Sequence, residues 1–115
     1  MKLGEIVSEV SIDPGKFRDY ALDPNNPVGR HKALVFQRKL GYNQENYEGL
    51  LNQIVAQAMD SEAIATKKDE HGQRYQVDLE VDGIESGQQA IVRTGWIVEP
   101  KAKECARLVT LYVRK

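Results

Sequence analysis

Three adjacent side chains, Arg30, His31 and Lys32, stand at the start of a helical pattern that runs to Leu40. A histidine exchanges protons near neutral pH, so it can serve as general base or general acid. Lysine and arginine stabilise negative charge growing on a phosphate. RNA cleavage by attack of a 2′-hydroxyl needs those roles and no metal. Cations at a helix start oppose the helix dipole, which favours acids there. The plainer reading is the solvated first turn of an amphipathic helix. Farther along the chain, Arg93 with Thr94 and Thr110 with Tyr112 fall in strand patterns. His31, Lys32, Arg93, Thr94 and Thr110 are therefore the candidate catalytic residues, and Arg30 and Tyr112 the candidate substrate-binding ones. Strict alternation turns Arg93 and Thr94 to opposite faces, so both reach one site only across a bulge or a strand end. The structural alternative makes Arg93 a cross-strand partner, Thr94 and Trp96 core, and Thr110 a β-former. Trp96 and Tyr112 can stack on bases, although aromatic residues in strands usually pack.

Other chemistries lack their residues. Only two histidines occur, His31 and His71, and neither has carboxylates at ligand spacing, so no metal is expected. His71 beside Gly72 reads as a turn residue. The string Gly29-Arg30-His31-Lys32 lacks the glycine spacing of a phosphate loop, and no serine sits in a nucleophile elbow, so no cofactor is expected. Cys105 is the only cysteine, which excludes an intrachain disulfide and a cysteine-based zinc site. It reads as a small buried hydrophobe. With 16 basic and 17 acidic residues the net charge is −1, so any nucleic-acid contact must come from a local patch. The first ten residues carry acids inside an apolar run and do not read as a signal peptide, and no apolar run approaches a bilayer span. A cytoplasmic setting and no membrane partner are the expectation.

The elements that must position these residues follow from hydrophobic spacing. At 115 residues, 41% of them hydrophobic, the chain has material for one core, hence a single domain over 1–115. Leu3 to Ile12 fits a helical face and a strand equally well. Asp13-Pro14 starts a short helix that places Phe17, Tyr20 and Ala21 on one face. The turn formers Asn25, Asn26, Pro27 and Gly29 lead into a helix with Ala33, Phe36 and Leu40 on one face and Gly41 as its cap. Asn43 is the expected N-cap of a second helix, Gln44 to Met59, whose apolar stripe suits a sheet. From Ala63 onward the period is two. Ile64–Lys67, the run around Tyr75–Val81, the run from Ala90 to Val98 and Arg107–Val113 read as strands. In the third of these Ala90, Val92, Thr94, Trp96 and Val98 share a face, with Ile91, Arg93 and Ile97 opposite. In the last strand, simple alternation puts Val109, Leu111 and Val113 on one side and Leu108, Thr110 and Tyr112 on the other. The fold class is α+β, with N-terminal helices on one face of a C-terminal antiparallel sheet of about four strands.

The strings K-F-R-D-Y-A-L-D-P-N-N-P-V-G-R-H-K-A-L-V-F, V-R-T-G-W-I-V and R-L-V-T-L-Y resemble a small bacterial domain family of unknown function. Its members occur alone and at the C-termini of polymorphic toxins and phage-borne proteins. The pattern falls on Gly29, Lys32, Ala33 and Phe36, and on Thr94, Trp96, Leu108, Val109 and Thr110. The order of helices then sheet is similar to that of the barnase, EndoU, colicin and RelE ribonuclease superfamily. The resemblance implies a metal-independent ribonuclease toxin acting on RNA, tRNA among the candidates, and neutralised by an immunity or antitoxin protein. In that reading His31 is the general base or acid, Lys32 and Arg93 hold the scissile phosphate, and Thr94 and Thr110 donate hydroxyl hydrogen bonds. The alternative is a non-enzymatic binding module, or itself the partner protein, in a toxin or phage-associated locus.

Overall fold

The structure is a computed structural model that describes residues 1–114. A five-stranded sheet carries β1 (Glu9–Ser11), β2 (Ile64–Asp69), β3 (Gly72–Asp82), β4 (Gln89–Val98) and β5 (Cys105–Val113) in the order β1-β5-β4-β3-β2. β2 through β5 pair as an antiparallel meander, as hairpin connections dictate. β1 adds a parallel strand against Cys105–Arg107 of β5. The fold class is the expected α+β arrangement, with one short strand more than the expected four.

That strand comes from the ambiguous N-terminal stretch, which is both helix and strand in succession: α1 spans Leu3–Ile6 and β1 follows. α1 is docked by its backbone, the Leu3 and Gly4 amides donating to the Ser61 and Met59 carbonyls at 3.0 and 2.8 Å. These contacts lie about 57 residues away in sequence, so local periodicity could not decide between helix and strand. The segment after Pro14 forms a π-helical turn, Phe17–Ala21, that buries Phe17 and Ala21.

α2 (Arg30–Leu40) buries Ala33, Phe36 and Leu40 and ends at Gly41, whose φ of 78° is left-handed and whose amide donates to the Gln37 carbonyl. α3 (Tyr47–Ala58) starts three residues later than expected. Asn43 and Asn46 lock each other instead: the Asn46 side chain accepts from the Asn43 amide at 2.7 Å, and the Asn43 side chain accepts from the Glu45 and Asn46 amides at 2.8 and 3.2 Å. The closed turn consumes the donors a helix start would offer, so the helix begins after Asn46.

Phe36, Leu40, Leu50 and Ile54 from the helices pack on Val77, Leu79, Val92, Trp96, Leu108 and Leu111 of the sheet. Leu108 and Leu111 are both fully buried, although three residues apart. The β4–β5 register shows why simple alternation fails there. Gly95 opposes Thr110, but Trp96 opposes Leu108, so Val109 is an extra residue in a β-bulge. The bulge returns Leu108 to the core side. Thr110 and Tyr112 remain on the opposite face, beside Gly95 and Arg93, their cross-strand partners.

Candidate active site at the open edge of the sheet

β1 covers only the first three residues of β5. Among the described residues the outer edge of β5 beyond Arg107 has no strand partner, and α2 lies along it. The Lys32 side chain passes this open edge and reaches Thr110, on the far face of the sheet. Its Nζ donates to the Tyr20 hydroxyl at 2.9 Å and, more weakly, to Thr110 Oγ1 at 3.4 Å. The same ammonium lies 5.0 Å from the Tyr20 ring centre and 5.3 Å from that of Tyr112. Each such cation–aromatic contact, partly desolvated, contributes about 0.5–2 kcal/mol. Among the described residues no carboxylate lies within ion-pair distance of Lys32. A half-buried cation is thus held by neutral oxygens and ring faces, and its charge stays available to an anion.

Local sequence explains how Lys32 is aimed. Asn26 accepts from the Val28 and Gly29 amides at 2.9 Å each, folding the turn that starts α2. Its side-chain amide also donates to the Asp19 carbonyl, tying that turn to the π-helical segment. Gly29 packs on the backbone of Tyr20 so closely that a methyl group there would overlap the Tyr20 carbonyl oxygen. This approach brings the first turn of α2 and Tyr20 together. The Tyr20 phenol is held below the ordinary tyrosine range, chiefly by the hydrogen bond from Lys32; partial burial opposes the shift, and Lys32's charge, Thr110 and Lys16 add to it.

On the same face, Arg93 forms a two-pronged ion pair with Asp78, Nε and Nη2 donating at 2.9 and 3.1 Å. Arg114 adds a third bond to Asp78 at 3.2 Å. The Asp78 carboxyl is held below the usual carboxylate range, first by the Arg93 hydrogen bond, against an opposing effect of burial. Arg93 is fixed in its charged form by Asp78 and, next, by the Tyr112 hydroxyl. Arg93, Gly95, Thr110, Tyr112, Arg74 and Gln76 border a shallow hollow of about 200 Å³. Gly95 leaves room for Thr110, whose Cγ2 would stand 3.0 Å from a β-carbon at that position.

The structure thus brings Lys32, Thr110, Tyr112 and Arg93 together. His31 is exposed and lines a smaller groove with Lys32 and Tyr112. Arg30 is exposed on the first turn of α2. Thr94 stands apart. It is fully buried on the helix side of the sheet, where its hydroxyl donates to the Val77 carbonyl at 2.6 Å and accepts from Trp96 Nε1 at 2.7 Å. Trp96 is buried as well and presents no ring for stacking. The family pattern at these two positions has a packing explanation. Tyr20 is the residue that sequence reasoning missed. Its place on the apolar face of Phe17 and Ala21 marked it as core; only the cation at Lys32 gives it chemistry. Among the described residues no group of three or more histidine, cysteine or acidic side chains is placed to hold a metal.

These features define an α+β domain whose distinctive centre is a lysine shared by two tyrosines and a threonine at an open sheet edge. The chain belongs to the family described as "Domain of unknown function (DUF6883)", which it matches over residues 2–115. No curated protein matches it. Among solved structures it is similar to a chain of a contact-dependent growth inhibition toxin–immunity protein complex from Klebsiella pneumoniae 342. The TM-score is 0.65 at 18% identity, over 90% of this chain and 99% of that one. At this identity the similarity is one of fold.

Proposed function

We propose that this domain is a metal-independent ribonuclease of the toxin type, neutralised by an immunity protein that covers its site. The observation that carries the reading is the Lys32 ammonium, free of any carboxylate among the described residues and bonded to Tyr20 and Thr110 beside Arg93. A phosphodiester at this point replaces the weak contact to Thr110 with a bond between opposite charges. Lys32 then donates to a non-bridging oxygen, and the Thr110 hydroxyl donates a further bond. Arg93 and Arg114, which share the single carboxylate of Asp78, leave a net positive charge beside the phosphate. The 2′-oxygen bonds to phosphorus as the bond to the 5′-oxygen breaks, giving a 2′,3′-cyclic phosphate. His31 takes the 2′-hydroxyl proton. The Tyr20 phenol, acidified by Lys32, gives its proton to the leaving 5′-oxygen. Tyr112 offers a face to an adjacent base, and Arg30 an outlying phosphate contact. Thr94 has no part in these steps.

The fold shared with a chain of a toxin–immunity complex supports the toxin setting. That complex contains an immunity protein as well as a toxin, which favours one other reading: a non-enzymatic partner protein. Incubation of the purified protein with total tRNA in EDTA separates the two. Discrete fragments ending in cyclic phosphate, absent with Lys32→Ala, are the expected result. Folded protein that leaves tRNA intact at micromolar concentration, and whose expression does not arrest growth, would end the ribonuclease reading.

A further inference from the structure

Two other hollows adjoin the Lys32 centre. The groove holding His31, Lys32 and Tyr112 continues, through the shared residues Val35 and Val113, into a larger cleft of about 550 Å³. The cleft runs between α2 and the ends of β4 and β5. Its floor is aliphatic, formed by Val35, Val113 and the segment Ala90–Ile91, and its rim carries Arg38, Lys39 and Arg114. Among the described residues none that lines either groove, or the hollow beside Arg93, is acidic. The chain as a whole has 17 acids against 16 bases. α2 itself has four Lys and Arg residues and no acid. The balanced net charge therefore hides one continuous positive path, which begins at Arg38 and ends at Lys32. At about 1.5 Å rise per residue, Lys32 and Lys39 are about 10 Å apart along the helix.

We propose that this cleft is the track for the single-stranded RNA that flanks the scissile bond, with its phosphates on Arg38 and Lys39 and its sugars and bases against the aliphatic floor. The inference rests on the ribonuclease reading. Charge complementarity selects the occupant: a polyanion is attracted to a path lined by basic side chains, beside which the one bonded carboxylate, Asp78, is shared between Arg93 and Arg114. A strand must also leave the Lys32 centre along some open channel. Arg38 and Lys39 are exposed and form no ion pair among the described residues. Their replacement by glutamine, a good helix former, leaves the fold in place.

The test uses the full chain carrying Lys32→Ala to silence cleavage, and a labelled unstructured RNA. Its affinity is followed as salt rises from about 50 to 200 mM, the range over which phosphate contacts register. Adding Arg38→Gln and Lys39→Gln should flatten the dependence of log affinity on log salt by about 1.4, from about 0.7 per lost single-strand phosphate contact. Over that fourfold rise in salt, the parent should then lose about sevenfold more affinity than the variant. With Lys32 intact, the two substitutions should raise KM for long RNA and spare cleavage of a dinucleotide. A parent that binds RNA, with slope and affinity unchanged in the variant, overturns the track and leaves the ribonuclease reading standing. Loss of affinity for an immunity protein with RNA binding unchanged makes the cleft a protein-docking face instead. Failure of both this parent and the chain with Lys32 intact to bind RNA at low salt removes both ideas.

Discussion

Thr94 offers the sharpest separation of a packing role from a catalytic one. Thr94→Val keeps the shape of the side chain and removes only the hydroxyl. The Trp96 indole then loses its acceptor at 2.7 Å and the Val77 carbonyl its donor at 2.6 Å, both in a region with no exposure to water. Leaving a buried donor unpaired costs about 1–3 kcal/mol, and the lost hydroxyl bond adds about 1 kcal/mol. The variant should therefore lose about 2–4 kcal/mol. At about 4 °C per kcal/mol for a chain of this size, Tm should fall by about 8–16 °C. Thr94→Ser, which retains the hydroxyl and drops a methyl, should lose far less. Denaturant titration gives the first number, and tRNA cleavage well below the lowered Tm gives the second. Cleavage by the valine variant should be close to that of the parent. Unchanged stability would refute the hydrogen-bond reasoning. Normal stability together with lost cleavage would return Thr94 to the site.

Three more expectations follow from the same geometry. Gly29→Ala, which sets a methyl against the Tyr20 carbonyl, should lose about 1–3 kcal/mol in chemical denaturation and weaken RNA cleavage as Lys32 and Tyr20 separate. One of the five tyrosines should ionise below the others in an ultraviolet absorbance titration; Tyr20→Phe should remove that step and Lys32→Met should return it to the ordinary range. Because the Tyr20 pKa is lowered in the fold, its ionisation adds stability as pH rises through that step toward the unfolded value near about 10, and Tyr20→Phe should lose this alkaline gain. The lowered pKa of Asp78 works likewise at the acid end. Its contribution is complete above the unfolded carboxylate value of about 3.9 and fades as pH falls through the lower folded one. Asp78→Asn should therefore be destabilised near neutrality and lose less than the parent on acidification; equal acid sensitivity of the two would contradict the ion pair with Arg93.

Hydrophobic spacing alone determined the succession of helices and strands from α2 onward, the buried face of α2, its glycine cap, and the shared face of Val92, Thr94 and Trp96. These are local matters: a side chain's face follows from its neighbours' period. The cationic start of α2 and the hydroxyl at Thr110 were likewise legible as chemical types. Their meeting was not. It depends on the Val109 bulge, which keeps Thr110 and Tyr112 away from the core while sending Leu108 into it, and a bulge is a property of two paired strands. It depends also on the shortness of β1, which leaves the edge of β5 open for Lys32 to pass. Tyr20 gained its lowered pKa chiefly from a lysine twelve residues away, set against it by a glycine with no room for a side chain. Spacing along the chain records which face a residue occupies; contacts between distant segments decide what stands opposite it.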